Sequence, residues 1–171
     1  MNLLSYTACC ALLLTLVIWF RRIHKRELKD LATEIARGKE IPTDRLGSIC
    51  ISEGEDDITD RANQIAVLLG TSGFREMQRK SRCLARILQA GHTEYAGLFK
   101  DEDLLYIAEK TAALRMEMPW VTVELFLSSI ISVSKLHAFR AARLYCQIAG
   151  CVSDAAIASG SSDLMEIAAR L

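Results

Sequence analysis

Eighteen consecutive residues without a charge, Leu3 to Phe20 (LLSYTACCALLLTLVIWF), are followed at once by Arg21, Arg22, Lys25 and Arg26. As a helix such a stretch is about 27 Å long, close to the roughly 30 Å thickness of a bilayer's hydrocarbon layer. Ser5 and Thr7 can return their hydroxyls to backbone carbonyls one turn earlier. Trp19 and Phe20 fall where aromatic edges suit the headgroup layer.

A cleaved export signal has the opposite polarity: basic residues first, then an apolar run, then small residues at the cut. Here only the chain amine precedes the run, no A-x-A follows it, and basic residues occupy the cleavage region. A lipoprotein reading of Ala8-Cys9 lacks the preceding apolar run, and a buried core helix accounts poorly for so long an uncharged stretch. Residues 1–20 therefore read as a single-pass transmembrane signal-anchor. The positive-inside rule leaves the N-terminus outside and everything from Arg21 onward on the cytosolic side.

The other residues carry all the charge, 21 basic and 21 acidic. A balance this even disfavours a dedicated nucleic-acid binder, and none is expected as partner. Cys50, Cys83, Cys146 and Cys151 form no C-x-x-C pair. They read as small buried hydrophobes of a reducing compartment rather than a disulfide framework. Cys9 and Cys10 lie within the anchor, where apolar packing is favoured over acylation.

Periodicity predicts an all-α chain, with the anchor followed by a compact cytosolic domain of about five to seven helices. Residues 21–57 read as a juxtamembrane helical stalk and an acidic linker. In the stalk, Leu28, Leu31 and Ile35 form a narrow apolar stripe, Gly38 is a helix stop and Pro42 blocks continuation. "RLGSICISEGEDD" reads as linker, because a lone strand would lack a partner. Residues 58–171 read as the helical globular domain. One helix runs to Leu69, is broken by "GTSG" and is followed by a second from Phe74 to Gln89. A third starts at Asp101 or Asp103 and ends at Met118, before Pro119. A long apolar helix then runs to about Gly150 with a kink in its serine-rich middle, and two short helices close the chain. In the last, Leu164, Ile167, Ala168 and Leu171 share a face and Ser161 or Ser162 caps the start. The run Trp120 to Val133 is too short for a second span and contains Glu124, so it is expected at the centre of the core.

No catalytic constellation emerges, and no enzyme, cofactor or metal is assigned. His24, His92 and His137 lack metal-site spacing to the cysteines. "SVSK" matches S-x-x-K without the companion segments such enzymes carry, and "GTSG" lacks the Lys-Ser/Thr of a phosphate loop. Ala66 and Gly70 have helix-turn-helix spacing, but Glu76 and Arg79 then occupy positions that unit needs apolar.

Binding surfaces are more legible. Arg75, Arg79, Arg82 and Arg86 lie within about 60° of arc on one helix, opposite Met77, Leu84 and Leu88, with Glu76 off the stripe. Guanidinium forks match carboxylates and phosphates, so the stripe is the expected contact for an acidic partner or for anionic headgroups. Arg21, Arg22, Lys25 and Arg26 form the membrane flank. The acidic tip Glu53, Glu55, Asp56, Asp57 and Asp60 can fold back on the arginines. "MEMPW" (Met116 to Trp120) reads as core first and as a partner surface second.

An anchor, a basic flank and a helical cytosolic body resemble the layout of membrane-tethered receptors and adaptors, import receptors of the mitochondrial surface among them. No tetratricopeptide spacing is present. The expected function is a membrane-tethered adaptor, receptor or accessory subunit that binds the bilayer and other membrane-associated proteins. The alternative is a small structural or assembly subunit that packs through its transmembrane helix, with Ala8 and Ala11 as the close-approach positions.

Overall fold

A computed structural model describes residues 33–35, 37, 38, 40–51, 58–90 and 99–171. The expected signal-anchor and basic flank, His24, His92 and the linker acids Glu53, Glu55, Asp56 and Asp57 lie outside these residues. Among the described residues there is no strand, and no helix is long and apolar enough to cross a membrane.

A helical turn at 33–35 is followed by α1 (Thr43–Ile51), α2 (Ile58–Ala90), α3 (Asp101–Leu127), α4 (Leu136–Ser159) and α5 (Ser162–Arg170). The centre is α4, which packs against each of the other four helices. Its sequence explains why. Ala138, Ala141, Ala142, Tyr145, Ile148, Val152, Ala155 and Ala156 are all buried. The alanines let neighbouring backbones approach closely, and the larger residues fill the space between. The centre was expected at Trp120–Val133 instead; that segment lies at the surface on one side, as described below.

Upstream of residue 58 the sequence suggests stalk and linker, yet Ile35, Ile41 and Leu46 are buried in the same core as α4. The helical body takes them in. Pro42, expected only to stop a helix, also opens one: its carbonyl accepts the Leu46 N–H at 2.9 Å. A residue without an N–H costs nothing at a helix start. From there Leu46, Ile49 and Cys50 turn inward on α1.

The "GTSG" break is real. Gly70 lies at φ 57°, ψ −174° within α2, dividing it into two arms. No L-residue adopts that geometry without strain, and a Cβ at Gly70 would touch nothing within 4 Å. The cost of Gly70→Ala is therefore wholly conformational, about 1–3 kcal/mol. A urea titration followed by circular dichroism should show the unfolding free energy reduced by that amount, through a lower midpoint at an unchanged slope.

Two boundaries differ from those the sequence suggests. First, α3 continues through Pro119 to Leu127. An interior proline removes one backbone bond and crowds the preceding turn, at about 3 kcal/mol. Burial of Ile107, Leu114, Met118 and Val121 along one stripe on both sides of it offsets this cost. Second, the serine-rich middle is a break rather than a kink: residues 128–135 leave the helix and α4 starts afresh. Ser128 and Ser129 donate their hydroxyls to the carbonyls of Leu125 (3.0 Å) and Phe126 (2.6 Å), satisfying the open end of α3. α4 then runs past Gly150 to Ser159. The last helix is as its pattern predicts, with the Ser161 hydroxyl accepting the Leu164 N–H and Leu164, Ile167 and Leu171 buried.

Candidate functional site

Glu124, the carboxylate inside the apolar run, is buried at 7 % exposure. It points at the start of α4, where its two oxygens accept the N–H groups of His137 (3.0 Å) and Ala138 (3.1 Å). A helix N-terminus carries unpaired donors and partial positive charge, so a carboxylate from another helix is a fitting cap. Two turns back on α3, Glu117 Oε2 meets His137 Nδ1 at 2.6 Å. Trp120 stacks on the same imidazole, ring centroids 5.8 Å apart and 22° from parallel. Glu117, Trp120 and Glu124 thus fix the α3–α4 corner, and both acids are turned inward by it.

The outer side of this corner is apolar. Met116, Trp120, Val123 and Phe126 on α3 and Ile130 and Ile131 in the turn are exposed, at 74, 57, 46, 68, 67 and 57 %. Of the "MEMPW" group, Met118 is core while Met116 and Trp120 are surface. Six large apolar residues exposed at one helix end and the turn after it are unlike the singly scattered ones of an ordinary surface.

The arginine stripe is divided. Arg75, Arg82 and Arg86 are exposed on α2. Arg79 is engaged within the chain, contrary to its expected place in a free docking row. Its Nε and Nη2 donate to Glu76 Oε2 (3.1 Å) and Oε1 (2.5 Å). Its Nη1 donates to the Glu34 carbonyl at 2.8 Å and lies 3.5 Å from the Glu34 carboxylate. Glu76, read as pointing away, is the reason: i and i+3 residues are neighbours on a helix. The Glu76 hydrogen bond is also the chief cause holding the Arg79 guanidinium above its ordinary pKa. Gly38 passes so close that a Cβ there would stand 1.8 Å from Glu76 Oε1 and 1.9 Å from Arg79 Nη2. Asp60 of the acidic tip is exposed at the start of α2.

Two further polar groups sit inside. Lys80, 1 % exposed, donates its ammonium to the Arg170 carbonyl, and the Tyr145 hydroxyl donates to the Leu171 backbone oxygen. Desolvation lowers the Lys80 pKa and raises that of Tyr145. The cation at the end of α5 also complements the negative pole of that helix. Cys50 and Cys146 share a hydrogen bond that lowers the Cys50 pKa, aided by Arg143 and Arg61, and raises that of Cys146. All four described cysteines are free thiols. Among the described residues no three metal-type side chains gather.

Sequence reasoning found the arginines and ranked the exposed corner behind the core, since an apolar stripe reads as core until its partners are known. The available signal was that Met116, Trp120 and Val123 recur at i, i+4 and i+7 on the side of α3 away from Leu114, Met118 and Val121. No family model, curated protein or solved structure matches the chain.

Proposed function

We propose that the chain is a membrane-tethered helical adaptor, receptor or accessory subunit. Leu3–Phe20 anchors it in a bilayer and the helical body acts by protein–protein contact on the cytosolic side. The carrying observation is the uncharged run followed directly by Arg21, Arg22, Lys25 and Arg26. Anchoring of this kind raises the effective concentration of the body toward any partner in the same membrane. The contact residues on this reading are Arg82 and Arg86, with Arg75 at the end of the row. They are exposed, whereas Arg79 is held by Glu76 and Glu34.

Two measurements test it. Alkaline carbonate should leave the protein in the membrane pellet, and an engineered glycosylation acceptor after residue 58 should stay unmodified; recovery in the supernatant or modification at that acceptor removes the anchor or its orientation. For the partner surface, Arg82→Glu with Arg86→Glu should cut crosslinked neighbours recovered from the membrane at least severalfold, while Arg79→Glu should also lower the melting temperature. Unchanged crosslinking in the double variant would take the row out of the account.

A further inference from the structure

We infer that the exposed corner of α3 and the α3–α4 turn is a second membrane contact: a patch that lies in the headgroup layer of an anionic bilayer. The proposal rests on the anchored reading for its nearness to lipid, since the 12 residues between Phe20 and Thr33 can span at most about 40 Å however arranged.

Composition and charge together select lipid as the occupant. The patch combines Trp120 with Phe126, Ile130, Ile131, Met116 and Val123, all exposed, and aromatic and aliphatic side chains of this kind enter the headgroup–acyl boundary. Among the described residues between Lys110 and Ser153 the free charge has one sign. Between Lys110 and Ser153 the sequence holds two acids, Glu117 and Glu124. The first is held by His137 and the second by the amides that open α4. Of the basic residues, Arg115 and Arg140 face outward and Lys135 is half-buried. Arg115 is exposed beside Met116, Arg140 is exposed one turn beyond His137, and Lys135 stands at the end of the turn. Across a shallow groove from Pro119 and Thr122 is Arg75, also exposed. An apolar patch fringed by cations and, among the described residues of this stretch, cleared of free carboxylates matches an anionic leaflet, where each basic residue contributes on the order of 1 kcal/mol. A protein partner with a mixed surface would not require the acids to be withdrawn.

The corner is also stiff. The Trp120–His137 stack and the Glu124 cap hold the patch in place before any contact, so little ordering is needed when it meets the bilayer. Anchor and patch would then fix the orientation of the body, with Arg82 and Arg86 farther along α2.

The chain has two tryptophans, Trp19 in the anchor and Trp120 in the patch, which allows each contact to be read alone. The full chain carrying Trp19→Phe, or separately Trp120→Phe, is reconstituted into vesicles of phosphatidylcholine brominated on its acyl chains, with or without phosphatidylserine. With phosphatidylserine present, Trp120 emission should fall by about half relative to unbrominated lipid, as for a ring at the acyl boundary. Without it, or in high salt, the quenching should weaken severalfold. Combined Phe126→Ser, Ile130→Ser and Ile131→Ser, all at exposed positions, should abolish it while leaving the circular dichroism spectrum unchanged. Quenching of Trp19 with none of Trp120 overturns the patch and leaves the anchor standing; absence of both overturns both. Blue-shifted Trp120 emission that brominated lipid leaves unquenched overturns the lipid assignment. It assigns the face to a second copy if the shift grows with protein density, and to the chain's own N-terminal segment if it does not.

Discussion

Glu124→Ala should lower the stability of the helical body by about 3 kcal/mol, because it strands one buried and one half-buried backbone donor and removes a charged cap. For a chain of this size that is a fall in melting temperature of roughly 6–12 °C. The donors are the N–H groups of His137 and Ala138, bonded at 3.0 and 3.1 Å to a side chain that is 7 % exposed. Glu124→Gln keeps one acceptor oxygen and should recover about half the loss. Thermal unfolding of the detergent-solubilised chain, followed at a helical circular dichroism band, measures both. If Glu124→Ala melts within a degree or two of the parent, the carboxylate does not cap α4.

The second large effect is expected at Lys80. Lys80→Ala removes a stem that fills the core and leaves the Arg170 carbonyl without its donor, together about 3 kcal/mol. Lys80→Met keeps the volume without the charge and should lose less than half as much. The two variants also separate packing from titration. Burial lowers the Lys80 pKa, so the folded chain releases this proton at a lower pH than the unfolded chain. The unfolded state then binds more protons across the window below the ordinary lysine value of about 10.5, and stability rises with pH there. Relative to Lys80→Met, the parent should therefore gain stability as pH approaches that value. Tyr145 acts with the opposite sign. Its raised pKa keeps it protonated in the fold, so its contribution falls once the unfolded phenol ionises, above about pH 10. Both proteins carry Tyr145, so the difference between them isolates the lysine. A urea midpoint series at rising pH reads it; a flat difference would mean that burial of the ammonium carries no cost.

Local chemistry was readable in the chain where it acts within a few residues. The break at Gly70, the start at Asp101 and the cap and apolar face of α5 are nearest-neighbour matters, and the pattern of residues predicts them. What could not be read depended on partners far away in sequence. Pro119 stops an isolated helix, yet here the buried stripe that continues beyond it wins. "RLGSICI" looks like linker because its apolar residues are few, and only the presence of α4 makes Leu46 and Cys50 worth burying. Glu124 was legible as a reason against a membrane span; its bonds to residues 13 and 14 positions later were not. The same holds at the surface. Arg75, Arg82 and Arg86 face outward as the helical spacing implies, whereas Arg79 is held by Glu76, three residues earlier, and by Glu34, 45 residues earlier. The apolar corner was placed in the core because hydrophobicity alone does not distinguish an inner face from an outer one.

The Arg79 clamp has a mechanical consequence. Glu34 is among the first described residues, and Arg79 grips it by carbonyl and carboxylate in the second arm of α2. Tension arriving along the chain from its N-terminal side would therefore meet the flank of a long helix at this clamp, whose partly exposed ion pair contributes only about 0–1 kcal/mol of its own.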